Sequence, residues 1–561
     1  MKITGAEAIM KSLIHEGVKI VFGYPGGAIM PTYDAIYKYK DRIKHVLVRH
    51  EQGASHSAEG YAIVSGKPGV VIATSGPGAT NLITGIADAM MDSIPLICIT
   101  GQVADILVGT DAFQEVDVIG ITTPITKWNH QITKASEVPE IIACAFHIAT
   151  TGRPGPVVID ITKNAQFDEF EWYYPEKVEL ESFQPTLIPN AKQIKLAGDL
   201  INKAERPYML VGHGVLIAQA EKELLEFVEK SDIPVATTLL GKSAIPCDHS
   251  HNVGWLGMHG NLGPNILTNK ADVILAIGMR FDDRVTGRLS DYAKQAKIIH
   301  IDIDPAELNK NVKVEIPIVG DAKIALCELT KHIEKKSHST WRDEFHTFYE
   351  QEKEKVINAE TKPTNGKIKM AEAIHVLSEL TKGEAIIVTD VGQHQMKTSQ
   401  HYFFKHPRTF VTSGGAGTMG YGVPAAIGAK FAFPNKQVIA IVGDGGFQMT
   451  IQELGTILQE KLPVKIVILN NNFLGMVRQW QHMFFDERYS YVDLINPDFV
   501  KVANAYDIKA EKVEHREDLK SAFIRMLDSK DAYIVNIIVE QKENVFPMMP
   551  AGASVEEIRT E

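Results

Sequence analysis

Short apolar runs closed by Gly, Pro or Asp alternate along this chain with stretches whose apolar residues recur at helical spacing. A bounded apolar run of that kind suits a strand of a parallel sheet covered on both faces, and the alternation suits βαβ crossovers. The pattern predicts three sets of strands. The first is 46–49, 69–74, 95–100 and 156–161; the second is 208–212, 234–238, 273–278 and 298–302; the third is 385–389, 409–412, 438–442, 465–469 and 533–539. Helical patterns at 191–203, 219–230, 370–380 and 451–461 separate them. The chain therefore reads as three consecutive α/β units, each a doubly wound parallel sheet.

Boundaries show as polar or Pro-bearing passages without periodicity. The units span 1–170, 190–334 and 368–543. Between the first two lies 167–190, with Trp172, Tyr173, Tyr174 and prolines; 335–367 is charge-dense with few apolar anchors and reads as a surface helix plus linker. The tail 544–561, with Pro547, Pro550 and Gly552, reads as an irregular extension over a surface or site.

At about 150 residues per domain, 561 residues hold three to four compact units. Hydrophobic residues at 45% and charged residues at 23% fit a folded globular chain and exclude a fibrous or disordered one. A net charge of −11 leaves no basic stripe for a nucleic-acid backbone. No run reaches the ~18 apolar residues of a membrane span, and the N-terminus enters helical spacing without a leader pattern, so a cytoplasmic protein is expected. Cys98, Cys144, Cys247 and Cys327 form no CxxC pair and are expected to be small buried thiols in a reducing compartment.

The sharpest chemical signal is Gly443-Asp444-Gly445-Gly446, directly after the apolar run 438–442. An Asp at the carboxyl end of a parallel strand stands where open α/β sheets bind ligands, and glycines let the backbone approach a phosphate. The next predicted strand ends in Leu469-Asn470-Asn471-Asn472-Phe473, 27 residues from Asp444 to Asn471, one crossover later. Adjacent strands would hold a carboxylate and an amide oxygen side by side, suited to a hard cation that keeps water and phosphate oxygens as its other ligands. The competing reading is that Asp444 caps a helix and the asparagines fill a turn.

GDG, a crossover and NN together resemble the thiamine diphosphate motif, and the resemblance extends over essentially the whole chain to the acetohydroxyacid (acetolactate) synthases, large catalytic subunits. It is carried by Phe22-Gly23-Tyr24-Pro25-Gly26-Gly27, Arg49-His50-Glu51-Gln52-Gly53-Ala54, Thr74-Ser75-Gly76-Pro77-Gly78-Ala79-Thr80-Asn81 and Gly109-Thr110-Asp111-Ala112-Phe113-Gln114-Glu115 in the first unit. In the third unit it is carried by Val391-Gly392-Gln393-His394-Gln395-Met396 and Ser413-Gly414-Gly415-Ala416-Gly417-Thr418-Met419-Gly420. The resemblance implies a pyrimidine-binding first domain, an FAD-binding middle domain and a diphosphate-binding third domain. Glu51 would exchange a proton with the aminopyrimidine, with Gln114, Lys127 and Gly27 as further catalytic-side residues. Mg²⁺ would be held by Asp444, Asn471 and the backbone oxygen of Phe473. Thiamine diphosphate would further touch Val391, Gly392, Gln393, His394, Gly417, Met419, Gly443, Gly445, Gly446, Leu474, Gly475, Met476 and Val477, with Met419 wedged beneath it.

Arg280-Phe281-Asp282-Asp283-Arg284-Val285-Thr286-Gly287 and Leu256-Gly257-Met258-His259-Gly260 match the flavin-binding form of that family. Flavin contacts implied are Arg153, Gly212, His213, Gly214, Thr237, Leu239, Met258, His259, Gly278, Arg280, Asp282, Arg284, Asp302, Ile303 and Asp321. The implied reaction decarboxylates pyruvate and passes the two-carbon unit to a second pyruvate, giving 2-acetolactate, or to 2-ketobutyrate, giving 2-aceto-2-hydroxybutyrate. This is the first common step of branched-chain amino acid synthesis. The flavin would be structural. Arg284, Trp480, Met258 and Phe113 would contact the substrate. The family implies a homodimer or dimer of dimers, with a small regulatory subunit common among anabolic members. A pyruvate oxidase-like flavoenzyme and a non-catalytic α/β binding protein are the competing readings. Two departures stand out: Ala104-Asp105-Ile106-Leu107 replaces a stretch that often carries an Arg pair, and Lys397 follows Gln-His-Gln-Met where Trp is common.

Overall fold

The computed structural model describes residues 1–561 and contains three six-stranded sheets, every strand parallel to its neighbours. Across the first sheet the order is Lys44–Leu47, Ile20–Gly23, Gly69–Ala73, Leu96–Gln102, Val157–Thr162 and Trp128–Ile132. Across the third it is Phe410–Val411, Ile386–Thr389, Val438–Gly443, Lys465–Asn470, Tyr533–Ile538 and Lys509–Val513. Numbered within each unit, both run 2-1-3-4-6-5. The middle sheet differs: Asn252–Trp255, Val235–Thr237, Pro207–Val211, Val273–Ile277, Lys297–Asp302, Ile316–Val319, which is 3-2-1-4-5-6, the dinucleotide-fold order. Each order has a switch point where crossovers leave in opposite directions, and crevices for ligands open there.

The central strands are the apolar runs and are buried throughout. Strands of the three sheets absent from the sequence reading are Ile20–Gly23, a short buried strand with a partner on each side, and four edge strands, Trp128–Ile132, Asn252–Trp255, Ile316–Val319 and Lys509–Val513. An edge strand has one partner, so Lys509–Val513 reads Lys-Ala-Glu-Lys-Val and Ile316–Val319 tolerates Pro317. The N-terminus also departs from expectation. Lys2–Thr4 is a strand antiparallel to Glu169–Glu171, and the helix Gly5–His15 begins only after Thr4 caps it.

The first and third units share one hydrophobic core, which includes Val46, Ala58 and Leu96 from one and Tyr421, Ala425 and Val464 from the other. Its centre is a pair of small-residue helices, Glu51–Ser65 and Gly422–Ala432. Ser57 Oγ donates to the Pro424 carbonyl at 2.8 Å. A Cβ on Gly60 would stand 2.1 Å from the Ala425 oxygen, and one on Gly428 would stand 1.7 Å from the Ser57 oxygen. The backbones meet because these positions lack side chains.

The 335–367 segment is more than a surface helix. Ser339–Glu352 buries Trp341 and Phe345 in a middle-unit core, and the buried Glu352 carboxylate accepts from Asn261 Nδ2 and the Leu262 amide, each at 2.8 Å. The tail adds Met549, Ala553 and Val555 to the same core. Cys98 is buried, but Cys327 is exposed on the helix Ala322–His332, and Cys144 and Cys247 are partly exposed. No helix is long and apolar enough to cross a membrane.

Gly428→Ala is expected to lower the thermal unfolding midpoint by several degrees, reflecting about 3 kcal/mol or more of overpacking. Scanning calorimetry checks this, and an unchanged midpoint would mean that the helix pair opens without cost.

Candidate active site

At the third sheet's switch point, Asp390-Val391-Gly392 ends one strand and Gly443-Asp444 ends its neighbour. Asp390 is fully buried and accepts from the amides of Val391, Gly420 and Gly422 at 2.9, 3.1 and 2.9 Å, which folds the 413–420 loop over the crevice. A cavity of about 50 Å³ opens there. Val391, Gly392, Gln393, His394, Met419, Gly443, Asp444, Gly445, Gly446, Asn471, Phe473, Leu474, Gly475, Met476 and Val477 line it. Gly417 walls the larger cavity beside it instead.

Polar groups in the small cavity are left open. His394 Nε2, Gln393 Oε1 and Asn471 Nδ2 are buried without a partner. Burial pushes His394 down to about 3, so its ring is neutral, and burial pushes the Asp444 carboxyl up to about 6. Asn471 Oδ1 accepts from the Phe473 amide at 3.1 Å, which fixes the side chain and leaves that oxygen a second lone pair for a cation. Asn496, absent from the sequence reading, donates through Nδ2 to Asp444 Oδ2, Asn470 Oδ1 and Asn472 Oδ1 at 2.6, 3.0 and 2.9 Å. It comes from an aperiodic loop, and only the chain's return to the sheet brings it here.

At the first sheet's switch point, Tyr24 to Gly27 and Thr74 to Gly78 face each other beyond the strand ends. Glu51 opens the helix Glu51–Ser65 behind His50, whose Nδ1 accepts from the Gln52 amide at 3.2 Å. A first-turn carboxylate is stabilised by the helix dipole. Asn81 Nδ2 donates to Glu51 Oε2 at 2.9 Å, and a Cβ on Gly78 would stand 3.4 Å from Oε1. Gln114 abuts Gly76, with its carbonyl 2.8 Å from where a Cβ would stand. The buried Thr74 hydroxyl has no partner. Across the domain boundary, Glu453 Oε1 accepts from the amides of Arg49 and His50, each at 3.1 Å, which fixes the approach to Glu51.

The structure thus brings Glu51 and Gln114 to one place and the Asp444 group to another. Glu51, Gln114, Gly27 and Phe113 line neither cavity within one chain. Gly27 lies exposed in open space, and Phe113 is 88% exposed. Lys127 joins neither group. Its ammonium donates to the carbonyls of Ile148 and Thr151 at the end of the helix Val138–Thr150, and burial lowers it to about 8.

The middle switch point opens into a cavity of about 760 Å³. Every residue expected at a flavin lines it except Gly212 and Thr237. Gly212 is packed against the Gly278 backbone, and Thr237 is buried within a strand. Trp480, Met258 and Arg284 line it as well. Trp255 Nε1 and His259 Nδ1 are buried in this wall without partners. Asp302, at a strand end, is pushed up to about 7 by burial. Asp321 spends one oxygen capping the helix Ala322–His332. The two cavities share Val391, Gly392, Met419, Met476 and Val477 as walls.

The sequence matches three family descriptions in order: thiamine pyrophosphate enzyme, N-terminal TPP binding domain over residues 3–121, central domain over 194–329 and C-terminal TPP binding domain over 390–537. A probable acetolactate synthase large subunit of Methanocaldococcus jannaschii is 47% identical over 99% of this chain and 95% of its own length. The acetolactate synthase large subunits of Corynebacterium glutamicum and Haemophilus influenzae are 45% and 44% identical. They cover 100% and 99% of this chain and 90% and 98% of their own lengths. The chain belongs to the acetolactate synthase family.

Within this family frame the two departures have local explanations. Lys397 is fully buried where the family often has Trp, and Glu360 from the linker neutralises it while also accepting from His401 Nε2 at 3.1 Å. Asp105–Leu107 forms an exposed turn held by Asn164 Oδ1 on the Asp105 amide at 2.9 Å.

Asn496→Ala removes the amide that orients Asp444, Asn470 and Asn472. The Mg²⁺ concentration for half-maximal thiamine diphosphate binding should rise about 10- to 100-fold, as for other groups that orient metal ligands. Titration followed by calorimetry reads this, and a change under about twofold would reduce Asn496 to a filler.

Proposed function

We propose that this protein transfers the two-carbon unit of pyruvate to a second 2-keto acid, giving 2-acetolactate from pyruvate or 2-aceto-2-hydroxybutyrate from 2-ketobutyrate. The observation that carries the reading is the adjacency of two built cavities. A small one, edged by Asp444, Asn471 and neutral His394, shares Met419 and Met476 as walls with a larger one at a dinucleotide-type switch point.

The donor sets fit the groups the family uses. Asp444, Asn471 and the Phe473 carbonyl would hold Mg²⁺, a hard cation that takes oxygen ligands. Gly443 and Gly475 let His394 and Gln393 pack against the backbone, a Cβ there standing 2.9 Å from His394 Nδ1 and 2.3 Å from Gln393 Oε1, and the open His394 Nε2 and Gln393 Oε1 atoms offer a diphosphate polar partners. FAD would occupy the larger cavity against Arg153, His213, His259, Arg280 and Asp302. Bound thiamine diphosphate supplies the electron sink for loss of CO₂ and transfer of the remaining unit.

This chain's residues bind, orient and move protons. Glu51, with Oε2 held by Asn81, exchanges a proton through Oε1. Met419 shapes the cofactor pocket, its methyl 3.7 Å from where a Cβ on Gly445 would stand. Arg284, largely exposed with its Nη1 3.5 Å from Met258 sulfur, meets the acceptor carboxylate. Trp480, tilted on Phe484 at 5.1 Å, borders the space for the acceptor side chain. One methylene there is worth about 1 to 3 kcal/mol, enough for a preference between acceptors without excluding either.

Separation of Glu51 from Asp444 within one chain supports a site completed by a second copy, Glu51 of each protomer serving the diphosphate pocket of the other. A homodimer is then the smallest active unit.

Glu51→Gln should lower turnover about 10²-fold or more while thiamine diphosphate still binds. With pyruvate, the flavin spectrum should stay oxidised as acetolactate accumulates. Near-native turnover in the variant would remove Glu51 from proton transfer, and flavin bleaching with acetate release would replace the carboligase reading with an oxidase.

A further inference from the structure

The helix Ile83–Asp92 carries Asp88 and Asp92 one turn apart, both buried. Two carboxylates at that spacing repel each other, and Asp92 also sits at the helix C-terminus, where the peptide dipoles disfavour negative charge. Such local conflicts persist where something else is gained. Here three consecutive residues of the cofactor loop are captured. Ser413 Oγ donates to Asp88 Oδ1 at 2.7 Å, the Gly414 amide to Asp92 Oδ2 at 2.7 Å and the Gly415 amide to Asp92 Oδ1 at 2.6 Å. A Cβ on Gly415 would stand 2.8 Å from Asp92 Oδ1, so the glycine permits the approach. From this anchor the loop runs to Gly417 and Met419.

Asp92 also faces the middle domain. His213 Nδ1–H donates to the Asp92 carbonyl at 3.0 Å, and the next residue, Ser93, accepts from Arg153 Nε at 2.9 Å. His213, Arg153 and Asp92 all line the larger cavity. One residue of the first domain therefore grips the third domain by its carboxylate and the middle domain by its carbonyl.

We propose that Asp92 is a positioning residue that couples flavin occupancy of the middle cavity to the affinity of the third domain for thiamine diphosphate. This rests on the flavin reading above. A flavin seated against His213 and Arg153 fixes the Asp92-Ser93 turn, which fixes the 413–419 loop over the diphosphate pocket. Coupling between two sites is reciprocal, so each cofactor should tighten the other by one common factor. The flavin then has a part in a reaction that moves no net electrons.

The test titrates the apoprotein with FAD, followed by flavin fluorescence, and then with thiamine diphosphate and Mg²⁺ by calorimetry, with and without FAD. In the wild type, FAD should tighten thiamine diphosphate about tenfold or more, and the reverse titration should return the same factor. In Asp92→Asn, where an NH₂ group replaces one of the two accepting oxygens, the factor should fall below about twofold, an effect that general loosening of the fold would not produce. A wild-type factor below about twofold overturns the coupling whether or not the variant folds. So does a variant that binds both cofactors and keeps the wild-type factor. Absence of FAD binding by the wild type would overturn the flavin reading itself, and this inference with it.

Discussion

The rest of the molecule depends on two helix backbones touching. Glu51–Ser65 and Gly422–Ala432 come from domains separated by the whole middle unit, and each is built largely of Gly, Ala and Ser. Small side chains bring little hydrophobic area per residue, so their value lies in distance: at Gly60 and Gly428 there is no room for even a Cβ. That contact fixes the helix that begins at Glu51 relative to the loop that ends at Tyr421. Glu453 reinforces it by accepting the Arg49 and His50 amides from across the boundary. The first and third domains therefore form one body with a shared core, although each carries its own complete sheet.

A second constraint follows from the glycine loops. Close approach to a ligand requires backbone without side chains, and such backbone is the least able to hold a shape. Here buried carboxylates supply the shape. Asp390 gathers three amides of the loops around the third switch point, and Asp92 gathers two more. Burial raises both carboxyls, Asp92 to about 6, and the accepted N–H bonds oppose that rise. The buried acidic residues that look costly in isolation are the fixed points from which the flexible loops hang.

Legibility in the sequence followed the same physics. Buried parallel strands announce themselves as apolar runs, so the three sheets and the position of Asp444 at a strand end were readable, although Ile20–Gly23, with only three apolar residues before its glycine, was missed. Edge strands such as Lys509–Val513 were not, because one open side lets them carry charge. Spacing placed Asp444 and Asn471 on adjacent strands, and the pairing of Gly443 with Leu469 agrees. It had no way to find Asn496, Asn81 or Asp92, whose partners are set by tertiary return of the chain. Lys127 shows how far a residue's surroundings lie beyond a match of its segment. A cationic residue in a matching segment read as chemical, yet its ammonium is occupied by the carbonyls at a helix end.

The middle domain's different strand order gives it a different kind of crevice from its neighbours. The 2-1-3-4-6-5 sheets each open one crevice suited to half of an extended ligand, whereas 3-2-1-4-5-6 opens a long crevice across paired halves. That crevice lies beside the third domain's small cavity and has Met419, Met476 and Val477 as walls in common with it. The shared walls are largely apolar, where water would compete for a proton or for the transferred unit, and Arg153, Arg280 and Asp302 add charge elsewhere in the larger cavity's lining. On this view the middle domain contributes exclusion of water and rigidity to the chemistry of its neighbours.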